Sequence, residues 1–233
     1  MVIAGAACLR SGPDGRMDPA RIAEVKKRCG IRRADRYTAM MVDAALEAVK
    51  DAGFEGGLPE DTGVMVASFL GPHQTTGVFL NELLEYPEDQ VLSTAFSHSV
   101  FNAAASYVAM VLGIHGPEYS ITGIDDIFYE GFASADSMLR TGYCRRMLCV
   151  TAFDKGGLTD TLEHIGFPMP EEYALGCLLS AEEGESRHGS VVLSEEAPDP
   201  GVPVNPLATA ENILAMTAEN TIVLRKGFVQ CRK

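Results

Sequence analysis

Two adjacent carboxylates stand where a short apolar strand turns into a predicted helix. The strand spans Tyr119 to Thr122, the turn carries Asp125 and Asp126, and Gly142 ends the helix. The first turn of a helix has unpaired backbone N–H groups and the positive end of the helix dipole, so it stabilises negative charge. Two interpretations of Asp125 stay open: an N-cap worth about 1 kcal/mol, or a general base in a polar site.

Two histidines lie at positions that could contribute to a site. His98 directly precedes a strongly apolar segment and is either an acid–base group near Asp125 or a core histidine bonded to a backbone carbonyl. His73 follows the apolar strand Thr62 to Phe69, at the end of the strand where α/β sheets bind ligands. We expect His73, as a loop histidine, to be solvated.

A short basic segment contrasts with an acidic chain. The formal net charge is −13, which argues against nucleic acid or an anionic membrane as the main partner. Residues 26–36 nevertheless hold six basic side chains against one acid. The segment is either a solvated helix end and loop or a docking surface for an acidic partner.

The sequence shows no motif for a metal site or a nucleotide-binding site. No Cys or His spacing matches a zinc site and no glycine-rich loop matches a nucleotide fingerprint, so we expect neither a metal nor a cofactor. The six cysteines have no regular spacing, and Cys8, Cys149 and Cys177 lie in apolar strands. We therefore expect reduced thiols and a cytoplasmic protein. No apolar run reaches the ~18 residues of a membrane span.

The elements that position Asp125 form a strand–helix–strand unit. The second strand spans Met147 to Phe153, and short connections of this kind predict a βαβ crossover with parallel strands. The intervening helix gathers apolar residues on one side and polar residues on the other. The polar side comprises Tyr129, Glu130, Ser134, Asp136, Ser137 and Arg140. A helix with such a polar face is not expected to be buried between two sheets.

Similar patterns predict the remaining elements. Further strands are predicted at Val2 to Leu9, Thr62 to Phe69, Tyr173 to Ser180, Gly189 to Ser194 and Thr221 to Leu224. Further helices are predicted from Asp18 to Arg28, Tyr37 to Ala52, Thr75 to Leu84, Ser99 to Leu112, Leu158 to His164 and Leu207 to Ala218. The helix Ser99 to Leu112 is apolar nearly all round, which predicts burial on all sides, in a core or at a subunit interface. We expect one domain over residues 1–233, with a Pro-rich linker at about 197–206 and a C-terminal helix and strand over 207–233, whose basic tail frays.

Several of these motifs together resemble the N-terminal half of the β-ketoacyl synthases, in the thiolase superfamily. Gly116-Pro117 and Arg140-Thr141-Gly142 match the two ends of the family's nucleophile motif with no gap. At the position of the nucleophilic cysteine this chain has Asp125. Upstream matches, in the family's order, are Asp35-Arg36 through Asp51-Ala52-Gly53, Thr62-Gly63-Val64 and His98 through Ala104.

The resemblance implies half of a thiolase-like α/β fold, with a mixed five-stranded sheet, helices on both faces, and a homodimer or heterodimer. Condensation in the family needs a cysteine thiolate and two histidines from the C-terminal half. Here the cysteine position is a carboxylate, and a carboxylate is a poor acyl acceptor because a mixed anhydride lies uphill of a thioester. We therefore expect a stand-alone half-domain without condensing activity.

Three functions follow as hypotheses. The first is a partner or acyl- and carrier-protein-binding subunit in fatty acid, polyketide or aryl polyene biosynthesis. Its partners would be a full-length ketosynthase and an acyl carrier protein, which the resemblance suggests would dock on Arg32, Arg33 and Arg36. The second is an acyl-thioester-processing enzyme, a thioesterase or decarboxylase, that uses Asp125 with His98. The third is a module that only binds an acyl thioester.

Overall fold

The computed structural model describes residues 1–54, 56–91, 93–123, 127–166, 169–194, 213–216, 219–225 and 228–232. Its helices are α1 (Pro19–Arg28), α2 (Arg36–Asp51), α3 (His73–Glu85), α4 (Ser93–Ser99), α5 (Ala103–Leu112), α6 (Ile127–Arg140) and α7 (Leu158–His164). Its strands are β1 (Val2–Arg10), β2 (Thr62–Phe69), β3 (Glu118–Gly123), β4 (Arg146–Phe153), β5 (Tyr173–Ser180), β6 (Ser190–Ser194), β7 (Thr221–Arg225) and β8 (Phe228–Arg232).

All of these strands belong to one mixed sheet in the order β3-β2-β4-β5-β1-β6-β7-β8. The central strand β2 is parallel to both β3 and β4. β5 is antiparallel to both of its neighbours, β4 and β1. The connection from β3 through α6 to β4 therefore passes over β2, which confirms the predicted βαβ crossover.

The mixed sheet with helices on both faces is confirmed, but the predicted number of five strands is too low. Five strands, from β3 to β1 in spatial order, form the expected core. The described residues add three more beyond β1: β6, which pairs with β1, then β7 and β8. The short strand predicted at Thr221 to Leu224 is thus not the last, because a hairpin returns the tail to the sheet as β8.

Helices α2 and α5 cover one face of the sheet, and α6 covers the other. Asp35 caps α2 by accepting a hydrogen bond from the backbone N–H of Thr38 at 2.8 Å. The helix lies very close to the sheet, since a Cβ on Gly176 would stand 2.5 Å from the carbonyl oxygen of Ala44. Glycine at this position in β5 lets the backbone of α2 approach the sheet.

The two-sided character predicted for α6 is observed. Phe128, Phe132 and Leu139 are buried against the sheet. From the polar side, Asp136 is nevertheless nearly buried, and its carboxylate lies 2.6 Å from the guanidinium of Arg140, one turn later. The ion pair satisfies a charge whose burial alone would be costly.

The single buried helix predicted from Ser99 to Leu112 is wrong. The chain forms two helices, α4 and α5, that are bent by 86° at a break of three residues. α5 buries Ala104, Ala105 and Val108, whereas the side chain of Met110 is 64% exposed. One face of the apolar stretch is therefore uncovered in this chain, and composition alone could not show which face.

Other element boundaries agree to within a few residues or fall outside the described part. α3 begins at His73 rather than at residue 75. The linker predicted at 197–206 and most of the helix predicted at 207–218 lie outside the described residues. Over the described part of the chain, no single helix is long and apolar enough to cross a membrane, although the bent pair α4–α5 passes that test jointly by length and composition.

Candidate functional site

The carboxyl ends of β2, β3 and β4 meet at one edge of the sheet, which we call the carboxyl edge. Phe69 at the end of β2 pairs with Gly123 at the end of β3. The ring of Phe69 also lies 6.1 Å from that of Phe153, at the end of β4. The predicted site residue Asp125 follows Gly123 by two positions but lies outside the described residues, so its N-cap or catalytic role stays a prediction.

The described cysteines do not supply a nucleophile at the carboxyl edge. Cys144, Cys149 and Cys177 are buried, and burial raises the pKa of all three thiols. A raised pKa keeps the thiol protonated, whereas the thiolate is the reactive form. Cys8 lies within β1, and Cys29 follows the last residue of α1.

His98 and two of the predicted docking arginines line one open groove between the α1–α2 loop and α4–α5. His98, near the end of α4, lies with its ring 5.6 Å from that of Tyr107 on α5, and its buried Nδ1 has no hydrogen-bond partner within the described structure. Arg32 and Arg33 form the basic side of the same groove. The structure thus brings together three residues that the sequence offered as separate candidates.

Arg32 and Arg33 are exposed, and neither forms an ion pair with any described residue. Arg36, the third predicted docking residue, is placed differently. Its guanidinium donates to both carboxylate oxygens of Glu172, at 2.6 and 3.3 Å, and to the backbone oxygen of Met17. Arg36 therefore joins α2 to the segment before β5, and does not belong to the exposed pair.

Glu172 is a fully buried carboxylate that ties three segments together. It accepts hydrogen bonds from Arg36 and from the backbone N–H groups of Met17, at 2.6 Å, and Lys155, at 3.0 Å. Burial alone would raise the pKa of Glu172, but these hydrogen bonds outweigh it and lower the pKa below its usual value. The carboxylate is thus ionised, and its role is structural.

A second buried polar cluster lies at the carboxyl edge and was missed by the sequence prediction, which had His73 solvated. The side chain of His73 is buried, with Nδ1 3.3 Å from the carbonyl oxygen of Gly71 and 3.6 Å from Oδ1 of Asp154. Burial raises the pKa of Asp154 to about 7, and the neighbouring carboxylates of Asp35 and Glu172 act in the same direction. Burial lowers the pKa of His73.

The only sequence signal for this cluster was position. Asp154 directly follows an apolar strand, and His73 directly follows the turn after another. Because β2 and β4 are adjacent and parallel, residues that follow them must meet. Over the described parts of the chain, no group of three His, Cys, Asp or Glu side chains is arranged to hold a metal ion.

A continuous run of elements at the β3 end of the sheet exposes apolar side chains. β3 is an edge strand, with β2 as its neighbour in the described sheet. Ring contacts join α3 to α4 (Phe79 with Phe96) and α4 to α5, and Ser106 on α5 bonds the carboxylate of Glu118 on β3. The exposed apolar residues on these elements are Val78, Leu80, Leu83, Leu84, Phe96, Met110 and Tyr119. We call this the β3-edge surface.

The comparison with protein families decides the identity. The model of the β-ketoacyl synthase N-terminal domain matches residues 14–154, which is more than half of the chain. The chain belongs to the β-ketoacyl synthase family. The match includes β2, β3, α6 and β4 of this ketosynthase-family chain, and it spans sequence position 125.

Solved structures with the same fold include ketosynthases and ketosynthase complexes. The ishigamide ketosynthase/chain length factor is similar with a TM-score of 0.64 and 17% sequence identity over 77% of this chain. The ketosynthase ApeO in complex with its chain length factor ApeC, from Xenorhabdus doucetiae, gives a TM-score of 0.56, with 15% identity over 77% of this chain. A β-ketoacyl synthase from Burkholderia phymatum STM815 gives 0.54, with 16% identity over 78%.

The share of the other chain that is covered differs between these structures. The chain covers 62% of the ishigamide protein and 59% of the Burkholderia synthase, which are both less than two thirds. In the Xenorhabdus complex it covers 79% of the matched chain, close to the 77% of its own length. No curated protein matches the sequence.

Proposed function

We propose that this chain is a ketosynthase-like partner subunit that does not itself condense acyl groups. The β3-edge surface carries this proposal. An edge strand offers unpaired backbone N–H and C=O groups, and natural proteins cover such an edge or pair it. The side chain of Leu84 is 85% exposed and that of Phe96 56%. Exposed apolar side chains on consecutive elements mark a surface for protein association.

The chemistry at position 125 supports the absence of condensing activity. Thioester condensation needs a thiolate that becomes acylated, and an aspartate at the same position cannot form a stable acyl intermediate of that kind. The described cysteines lie elsewhere, and the three buried ones have raised pKa values. We infer that the catalytic cysteine of any active complex comes from a partner.

The partner that we propose is a ketosynthase that retains its cysteine, in polyketide, aryl polyene or fatty acid assembly. Two of the similar structures are named as a ketosynthase with a chain length factor, and one of them is a complex of the two. The identity of the partner ketosynthase would identify the pathway and the acyl chain, which the residues of this chain do not specify.

Affinity purification tests the assembly. The tagged chain, expressed in its native host, is expected to retain a ketosynthase that mass spectrometry identifies. A bait with Leu84→Glu and Phe96→Glu puts two charges on the β3-edge surface and is expected to lose that protein. The matched control Tyr143→Glu, at a side chain that is 68% exposed after α6, is expected to retain it.

Recovery of no ketosynthase by the unmodified bait, or equal recovery by the charged double variant, contradicts the proposal. Circular dichroism and the unfolding midpoint of each bait show that a lost interaction is not a lost fold. The substituted residues are exposed, so we expect a stability change within about 0.5 kcal/mol.

A further inference from the structure

Helix α3 is joined to the end of β4 and the start of α2 by its first turn, and it packs on α4 through Phe79 and Phe96. His73 is its one buried residue. From Val78 onward, most of its side chains face solvent, and Leu80, Leu83 and Leu84 are exposed although apolar. The helix has no side-chain cap at its start. Contacts of the first turn therefore fix the start of the helix against the sheet and α2.

Three consecutive side chains of that turn contact two other segments, the residues that follow β4 and the N-cap of α2. The ring of His73 faces the Asp154 carboxylate at the end of β4. Gln74 donates from Nε2 to Oδ2 of Asp154, at 3.1 Å, and to the backbone oxygen of Lys155. Thr75 donates from its hydroxyl to Oδ2 of Asp35, the cap of α2, at 2.6 Å. We call His73, Gln74, Thr75, Asp35 and Asp154 the α3 latch.

The latch is incompletely satisfied by hydrogen bonds. Nε2 of His73 and Oδ1 of Asp154 are both buried and have no hydrogen-bond partner in the described structure. Unsatisfied buried polar atoms are rare and often mark a place where a proton or a solvent molecule is exchanged. The backbone that leads into the helix is also unusual, because Leu70 has a positive φ of 64°, which is costly for a side chain branched beyond Cβ.

Charged and titratable groups face Asp154 from every element packed against it. These groups are Asp35, Arg36 and Tyr37 of α2, His73 of α3, and Glu172 before β5. Two carboxylates and one guanidinium surround the Asp154 carboxyl, and the guanidinium is already bonded to Glu172. An ionised Asp154 would therefore be a buried anion without a counter-ion of its own.

We propose that the α3 latch is a proton-dependent device: protonated Asp154 holds the first turn of α3 in place, and ionised Asp154 releases it. The neutral carboxyl accepts from Gln74 and carries no charge for Asp35 and Glu172 to repel. The ionised carboxylate is repelled by Asp35 and Glu172, and the neutral His73 cannot offset that repulsion. The position of α3, and of α4 that packs on it through Phe79 and Phe96, depends on this proton.

The direction with pH follows from the pKa of Asp154, which burial raises to about 7. An opened latch exposes the carboxyl and returns its pKa toward the ordinary value, so opening releases a proton and is favoured as pH rises. We take the pKa of Asp154 as about 7 in the closed latch and about 4 in the open latch. Linkage then predicts that the equilibrium constant for opening increases about tenfold between about pH 6 and pH 8.5.

Hydrogen–deuterium exchange of the isolated chain tests the latch. Deuterium uptake is measured in peptides that cover α3. The exchange times are corrected for the intrinsic rate of amide exchange at each pH. We expect the corrected exchange of α3 to increase about tenfold between about pH 6 and pH 8.5. Asp154→Asn, which is permanently neutral, is expected to remove this pH dependence, whereas the control Asp136→Asn on α6 retains it. Gln74→Ala is expected to increase α3 exchange at both pH values.

Equal corrected exchange of α3 in the unmodified chain at the two pH values overturns the proposal, and this comparison needs no variant to fold. Unchanged pH dependence in folded Asp154→Asn overturns it as well. The consequence for assembly rests on the proposed partner surface: ketosynthase binding is expected to weaken from about pH 6 to pH 8.5 in the unmodified chain but not in Asp154→Asn. If the hydrogen exchange of α3 depends on pH but ketosynthase binding does not, the proposed partner surface is contradicted and the latch is not.

Discussion

The guanidinium of Arg36 lies 2.6 Å from the carboxylate of Glu172, whose side chain has no exposed surface. Removing this cation leaves a buried charge held by two backbone N–H groups, with the guanidinium of Arg16 4.0 Å away. Arg36→Ala is therefore expected to lower the free energy of unfolding by about 3 kcal/mol. Arg32→Ala, at an exposed arginine without an ion pair, is expected to change it by less than about 0.5 kcal/mol. Urea unfolding measures both, and equal effects would contradict a structural role of Arg36.

The raised pKa of Asp154 also predicts how global stability depends on pH. The folded state holds this proton up to about pH 7, whereas the unfolded chain releases it near the ordinary value. Stability therefore falls as pH rises between these two values and is unaffected by this group outside them. Asp154→Asn should gain about 2 kcal/mol over the unmodified chain between about pH 5 and pH 8. Chemical unfolding at the two pH values measures the gain, and a constant difference would show that the pKa is not raised.

The close approach of α2 to the sheet is tested by adding one methyl group. A Cβ at Gly176 would stand 2.5 Å from the carbonyl oxygen of Ala44, so Gly176→Ala is expected to destabilise the fold by about 2 kcal/mol. Gly77, inside α3, has open space around a Cβ. Gly77→Ala is expected to stabilise by about 0.5 kcal/mol because alanine is the better helix former. The same sign for both variants, measured by thermal unfolding, would contradict this packing.

The exposed pair Arg32 and Arg33 is the part of the predicted carrier-protein surface that the structure leaves free. We expect the double substitution Arg32→Glu and Arg33→Glu to weaken binding of an acidic acyl carrier protein at least about tenfold at low salt, since attraction becomes repulsion. The exposed Lys50→Glu, at the far end of α2, is the matched control and should have a small effect. Surface plasmon resonance at two salt concentrations measures both. Equal affinity of the double variant and the unmodified chain would contradict carrier-protein docking on this segment and would favour its interpretation as a solvated helix end and loop.

Much of the core fold could be predicted because it depends on local patterns. Continuous apolar runs gave β1, β2, β4 and β5, and Asp18 with Pro19 marked the start of α1. The crossover through α6 followed from its order of strand, helix and strand and from its short connections. Strands at β6 and β7 were also predicted, but the strand β8 and the joining of all three to one sheet were not, because pairing beyond β1 depends on contacts between distant segments.

The candidate site was harder to predict, because its groups come from separate elements. Arg32, Arg33 and Arg36 are close in sequence, but α2 begins at Arg36 and turns that side chain toward Glu172. His73 and Asp154 are 81 positions apart and meet only because β2 and β4 are neighbours. The bend between α4 and α5 has no strong sequence signal, since neither glycine nor proline lies at the break.

The most direct test of the proposed function is the mass-spectrometric detection of a β-ketoacyl carrier protein after incubation with an acyl-primed carrier and a malonyl carrier. The ketosynthase that copurifies with this chain, assayed with the chain present, is the positive control for the substrates. We predict product in that reaction and none from the purified chain alone, because residue 125 is a carboxylate. Elongation by the purified chain alone, at a rate that Asp125→Asn abolishes, would contradict the proposal.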